Sequence, residues 1–252
     1  MKKILALFFF IPLLLSAQDK EVDSLRVKAS LSLTGFFQGG NVETIIFRAK
    51  TDLKIKLWEN SEFSNVNSYV YQEFGREKAD EDVLSLNFLS FHTDKRLYPF
   101  VLGFVSTNFR RQIDLRYLLG AGVTYQLMKK EKNSIKFSIS SEFEQTDYVS
   151  DTFNISEYDG EPSINTFRGT FWLTGKHELF KDKLVFKYEG FFQPSLEQSN
   201  NYRWRADLST ELPIWDFLSF KINYLYTYEN LVIQEQKRHD SFLTFGFTLK
   251  NF

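Results

Sequence analysis

From residue 43 to 58 the chain alternates with a period of two. Ile45, Phe47, Ala49, Leu53, Ile55 and Leu57 fall on one face, and Arg48, Lys50, Asp52, Lys54 and Lys56 on the other. Successive side chains of a strand point to opposite faces, so this stretch predicts a strand with one apolar and one charged surface. The pattern recurs. Residues 26–38 set Val27, Ala29, Leu31, Leu33 and Phe37 against Lys28, Ser30, Ser32, Thr34 and Gln38. Residues 114–128 set Leu115, Tyr117, Leu119, Ala121, Val123, Tyr125 and Leu127 against Asp114, Arg116, Gly120, Gly122, Thr124 and Gln126. Residues 134–147 set Ile135, Phe137, Ile139 and Phe143 against Lys136, Ser138, Ser140, Glu142 and Glu144. Residues 202–212 set Trp204, Ala206, Leu208 and Leu212 against Arg203, Arg205, Asp207 and Glu211, and 217–229 carries Leu218, Phe220, Ile222, Tyr224, Tyr226 and Tyr228 on one face. Segments 62–74, 82–93, 98–109, 164–179, 183–193 and 240–252 bring the expectation to twelve strands. Of these, 62–74 is mixed, and 82–93 and 98–109 are apolar on both faces.

The breaks between strands alternate in length. Those at Glu59–Ser61, Asp94–Arg96, Lys129–Asn133, Phe180–Asp182 and Pro213–Asp216 are short. Most of the others are longer or more polar, notably Gly75–Glu81, Tyr148–Ser163, Pro194–Asn201 and Asn230–His239; Gly39–Val42 is a short exception. Long strands of even number, joined alternately by short turns and longer loops, predict an all-β, antiparallel up-and-down transmembrane β-barrel of about 12 strands. The competing reading is a soluble periplasmic binder of apolar ligands, built as a sandwich or lipocalin-like barrel, whose strands would be shorter.

Both ends of the chain bear on location. Met1-Lys2-Lys3, the apolar run Ile4–Leu15 and Ser16-Ala17 read as a signal peptide over 1–17, too short in its apolar part for a membrane helix. Residues 18–25 then form a periplasmic segment, and 26–252 the outer-membrane barrel. The chain has no Cys, which excludes a lipid-anchored Cys, disulfides and thiolate metal sites. The last strand places Leu243, Phe245, Phe247 and Leu249 on one face and ends in Phe252, an expected barrel-assembly signal. Phe252 lies in the opposite phase to that apolar face. Either a bulge near Lys250-Asn251 restores the phase, or Phe252 faces inward.

Composition agrees with a membrane barrel. Mean hydropathy is −0.30, because only alternate residues would meet lipid. Aromatics are abundant, with 28 Phe, 12 Tyr and 4 Trp. A net charge of −1 gives no electrostatic reason to expect nucleic acid. The expected surroundings are outer-membrane lipid and the barrel assembly machinery, and a monomer is expected.

Two segments carry a family resemblance. Leu33-Thr34-Gly35-Phe36-Phe37-Gln38-Gly39-Gly40-Asn41-Val42-Glu43-Thr44 and Arg116-Tyr117-Leu118-Leu119-Gly120-Ala121-Gly122-Val123-Thr124-Tyr125 resemble the opening and the mid-chain strand of the salt-induced outer-membrane protein family, domain of unknown function family 481. The resemblance implies an outer-membrane barrel. It supplies no reaction, substrate or cofactor.

Chemistry is sparse. His92 and His177 fall near strand ends, and His239-Asp240 opens the last strand within a charged run that reads as a solvated loop pair. Glu142 and Glu144 share a face and could form an acid/base pair. They read more simply as lumen charges. No enzyme is expected, with an outer-membrane hydrolase kept as the competing class. The informative feature is the charged face itself: Arg48, Lys50, Asp52, Lys54, Lys56, Arg116, Lys136, Glu142, Glu144, Arg168, Lys176, Lys187, Glu189, Arg203, Arg205, Asp207 and Glu211. A lipid-facing Arg or Lys at the bilayer midplane costs about 2–4 kcal/mol, so these residues are expected to line the interior. The stripe Arg48, Lys50, Lys54 and Lys56 is expected to pair with lumen carboxylates. The expected function is an envelope barrel, stress-related through the resemblance, with a closed or narrow polar lumen. A small-solute or ion pore is the alternative.

Overall fold

The computed structural model describes residues 27–40, 43–58, 60–130 and 132–250. The predicted signal peptide, the 18–25 segment and Phe252 lie outside the described residues. Twelve antiparallel strands form one closed barrel: β1 (Val27–Gln38), β2 (Thr44–Trp58), β3 (Ser61–Phe74), β4 (Glu77–Phe91), β5 (Leu97–Asn108), β6 (Ile113–Lys129), β7 (Asn133–Tyr148), β8 (Ser163–Leu179), β9 (Leu184–Pro194), β10 (Tyr202–Trp215), β11 (Leu218–Glu229) and β12 (His239–Lys250). Each strand pairs with its sequence neighbours, and β1 pairs with β12. One barrel end carries both strand termini and the short turns; the other carries the loops. They are called the turn end and the loop end below.

Alternation sets which face looks out. On β6, Leu119, Val123, Tyr125 and Leu127 are exposed while Arg116, Thr124 and Gln126 are buried. Leu119 is 69% exposed, far beyond what a water-facing Leu needs, and Leu243, Phe245 and Phe247 continue the belt on β12. Among the described residues no helix is long and apolar enough to cross a membrane.

Two boundaries differ from the sequence expectation. The predicted loop Gly75–Glu81 is a two-residue hairpin turn: Phe74 pairs with Glu77, and Gly75 and Arg76 take φ 58° and 69°. Positive φ at both central residues is what a type I′ hairpin requires. Strand β4 therefore starts five residues earlier than expected at residue 82. Beyond the apolar belt both of its faces are polar, which hides the period. On β6, a register shift between Ile113 and Leu115 leaves Asp114 exposed, although its phase predicted an inward position.

Candidate functional site: the lumen

The interior is divided by height. Toward the loop end, arginines and carboxylates from opposite walls interlock. Arg110 bonds Asp80 (2.5 Å) and Asp240 (2.9 Å); Arg111 bonds Asp240 (2.9 Å) and Glu229 (3.1 Å). Arg116 grips Glu229 with both terminal nitrogens, at 2.9 and 2.8 Å. Glu144 accepts from Arg168 at 2.9 Å and from Arg203, with Arg116 at 3.9 Å. Arg116 stands on β6 and Glu229 on β11, nearly half the circumference away. Their pairing therefore spans the lumen. A second cross-lumen group joins Arg48 of β2 to Asp207 of β10 at 2.8 Å, with Asn223 donating to Asp207 at 2.6 Å and Arg205 at 3.2 Å. Glu144 is 2% exposed and Asp80 fully buried, so each charge depends on its partners. Glycine makes room: a Cβ on Gly120 would lie 2.6 Å from Glu142 Cγ, and one on Gly122 would lie 2.8 Å from the Phe100 ring.

Above this network the loops close the mouth. Phe153 forms a β-bridge with Ile233, and Asn154 is held reciprocally with Val232: its N–H donates to the Val232 carbonyl and its side chain accepts from the Val232 N–H. Phe153, Tyr158, Leu231 and Ile233 pack with Ile113, Tyr148 and Ile164 into one buried apolar cluster. Burial there pushes the Tyr158 hydroxyl pKa up. The 149–162 and 230–238 loops thus form a lid with its own core.

Below the network the wall turns apolar. Phe88 packs on Phe100 and on Trp172, each with centroids 5.5 Å apart, and Trp172 packs on Phe191 at 5.3 Å. Phe88 is on β4 and Trp172 on β8, so the rings bridge the lumen as a waist. A cavity of about 130 Å³ lies on the loop side and one of about 580 Å³ on the turn side, with Leu86 and Trp172 lining both. Eight lysines line the larger cavity: Lys28, Lys50, Lys54, Lys136, Lys176, Lys187, Lys221 and Lys250. Its acids are Asp52, Glu62, Glu178, Glu189, Asp207 and Glu211. Glu211 takes Lys187 at 2.6 Å and Lys250 at 2.7 Å, and Glu178 takes Lys176 at 2.6 Å.

The predicted lumen charges therefore divide into two groups. Arg48, Arg116, Glu144, Arg168, Arg203, Arg205 and Asp207 lie in the interlocked part, with Asp207 also bordering the larger cavity and Glu142 buried beside the network. Lys50, Asp52, Lys54, Lys136 and Glu211 face the larger cavity; Lys56 is exposed at the turn-end rim and does not line it. The expected pairing of the β2 stripe holds for Arg48 alone. Among the described residues, Lys50, Lys54 and Lys56 have no carboxylate within ion-pair distance. Arg48 is buried, whereas Lys54 and Lys56 are exposed, so water can hydrate their ammonium groups and nothing forces pairing. Glu142 also departs from the expectation of interlocked charges: among the described residues it accepts only from the Ser140 and Thr170 hydroxyls, the latter at 2.8 Å.

Several lumen residues lie outside the charged face predicted from the sequence. Asp80 falls within the predicted loop Gly75–Glu81, and Arg110 and Arg111 sit in the β5–β6 connection. Lys221, Asn223, Glu229 and Asp240 hold the inward phase of β11 and β12, opposite Tyr224 and Phe245, and that phase was the available signal. His239 and Asp240 point to opposite faces: His239 stacks on Tyr226 outside (6.1 Å), while Asp240 binds arginines inside. His177 also faces outward, against Asn133 (3.0 Å) and Tyr188 (3.3 Å). Among the described residues no cluster of three potential ligands could hold a metal.

The barrel is similar to a solved structure of the NanC porin, with a TM-score of 0.55 at 11% identity over 88% of this chain and 100% of that one. Weaker likenesses include the translocator domain of the autotransporter NalP from Neisseria meningitidis, with a TM-score of 0.44 at 11% identity over 90% and 87% of the two chains. Another is the CymD monoaromatic hydrocarbon channel, with a TM-score of 0.42 at 6% identity over 89% and 88%. At these identities the likeness concerns fold. No curated protein matches the chain. A family model, "Protein of unknown function, DUF481", matches residues 32–250, nearly the whole barrel, and the chain belongs to that family.

Proposed function

We propose that the protein is an integral barrel of a Gram-negative outer membrane, shut in its resting state. Its turn end faces the periplasm and its loop end the exterior, as short turns and longer loops are arranged in such barrels. Outer-membrane lipid surrounds the apolar belt, and the barrel assembly machinery inserts the chain. Its role is structural and envelope-related, consistent with the salt-induced resemblance, and not enzymatic. The outward His239 and inward Asp240 do not form a dyad with each other, which supports this reading over a hydrolase built on that pair. The observation that carries the closed state is the arginine–carboxylate network joining opposite walls beneath a packed lid. Planar-bilayer recording of the refolded chain tests it. Steady open-channel conductance from the wild type would overturn the closed reading.

A second reading is a gated path for small anions. The 580 Å³ lysine-lined cavity favours it. In that case removing the cross-lumen clamps with Arg116→Ala and Arg203→Ala produces discrete anion-selective openings. A double variant that folds, as judged by heat-modifiable migration, and stays silent excludes this second reading.

A further inference from the structure

The lipid-facing belt is interrupted at one place. On β2, β3 and β4 the outward positions midway along the strands are Thr51, Asn65, Asn67, Ser85 and Asn87, with Gly103 beside Asn87 on β5. Their sequence neighbours in the opposite phase, Ser64, Val66, Leu86 and Phe88, line the interior, which fixes the amides outside. Asn65 and Asn87 lie four residues from the turn-end limits of β3 and β4, and Asn67 and Ser85 lie six. At about 3.3 Å per residue and a tilt of about 40°, that is roughly 10–15 Å above the rim, inside an apolar band about 25 Å tall. Outward positions at this depth on the other strands are Leu, Ile, Val, Phe, Tyr or Gly, apart from one isolated aliphatic hydroxyl at Thr210.

These side chains bond one another. Asn65 donates to Asn87 (2.8 Å), Asn67 to Asn65 (2.6 Å) and Thr51 (3.2 Å), and Asn87 to Ser85 (3.3 Å). The set does not satisfy itself. Among the described residues the Thr51 and Ser85 hydroxyls only accept, leaving their O–H donors free, and amide lone pairs remain unused. Hydrocarbon offers no partner for either.

We propose that this patch is the interface of a symmetric dimer with a second copy of the chain. The proposal rests on the membrane reading above. Every polar group in the patch is neutral, and amides and hydroxyls are both donors and acceptors, so the surface is complementary to itself. A two-fold interface requires that. Two copies in one membrane share its normal, and a two-fold axis along that normal brings the patches together at equal depth. Ser85, Thr51 and Gly103 are small enough for the strands to approach closely, as polar and small residues do at other membrane interfaces.

The absence of native Cys gives a direct test. Asn67→Cys and, separately, Ser85→Cys are refolded or expressed as full chains in outer membranes and oxidised. Leu119→Cys, on the exposed outer face of β6, is the control. Both patch variants form a disulfide-linked species of twice the chain mass, at least ten times more than the control. Replacing Asn65, Asn67 and Asn87 together by Leu converts the wild-type dimer to a heat-modifiable monomer in lipid. Equal cross-linking of patch and control, no cross-linking from either patch site, or a product of another mass overturns the dimer while leaving the membrane reading intact. Recovery of the wild type without detergent in the soluble fraction overturns both.

Discussion

At the scale of single residues, the barrel wall sorts charge by direction. Leu119→Arg is expected to block folding into bilayers, because the new cation meets hydrocarbon at a cost of about 2–4 kcal/mol. Thr124→Arg is expected to fold, since Thr124 lines a cavity already holding lysines and gives up hydroxyl hydrogen bonds such as its 2.8 Å bond to Ser138. Equal refolding yields, read by heat-modifiable migration, would contradict this sorting. The two carboxylates of β7 separate further. Glu144→Gln leaves Arg168 and Arg203, which have no other carboxylate partner among the described residues, around a neutral amide and is expected to cost about 3–5 kcal/mol in urea unfolding. Glu142→Gln is expected to cost about 1 kcal/mol or less, because weaker hydrogen bonds are offset by relief of a buried charge that no cation pairs. Period-two reading placed both glutamates on the inner face. It could not separate them, because the distinguishing partners stand on β6, β8 and β10 and only closure of the sheet brings them near.

At the scale of elements, strands crossing the apolar belt were legible and segments beyond it were not. Alternation marks a strand only where one face is apolar and the other polar. The Glu77–Glu81 part of β4 runs past the belt and reads as a charged loop. β3 reads as mixed because Asn65 and Asn67 occupy positions that lipid would give to Leu or Val. The lid was equally hidden: Phe153, Leu231 and Ile233 are isolated apolar residues in polar loops, and only the Phe153–Ile233 bridge makes them a core. Phe153→Ala is expected to remove about 3–5 kcal/mol from the lid. The barrel stays folded, and the effect appears as faster proteolysis within 149–162 with unchanged heat-modifiability. Loss of barrel stability together with the lid would show instead that the two unfold as one unit.

At the scale of the molecule, closure concentrates on one seam. Among the described residues β1 and β12 share six paired positions, Ser30–Lys250 through Gly35–Phe245, whereas the other seams carry nine or more. This seam joins the two ends of the sequence, so it also has the largest loop-closure entropy to overcome. Gly246 lies within it, opposite Thr34, and a Cβ there would sit 2.6 Å from the Thr34 Cα and closer still to the Leu33 carbonyl oxygen. Backbone atoms cannot rotate away as side chains do, so relief requires the strands to separate. Gly246→Val is therefore expected to leave eleven hairpin-linked seams able to form while preventing the twelfth. The product would be an open sheet with two unpaired edges, which hydrocarbon does not tolerate. The expected readout is strand content by circular dichroism in detergent near that of the wild type, with loss of heat-modifiable migration and of bilayer insertion. Gly169→Val, outside the β2–β5 patch, is the control, because only the end of the flexible Leu196 side chain lies within 4 Å of its Cβ position. If the Gly246 variant migrates and inserts like this control, the seam is not what limits closure.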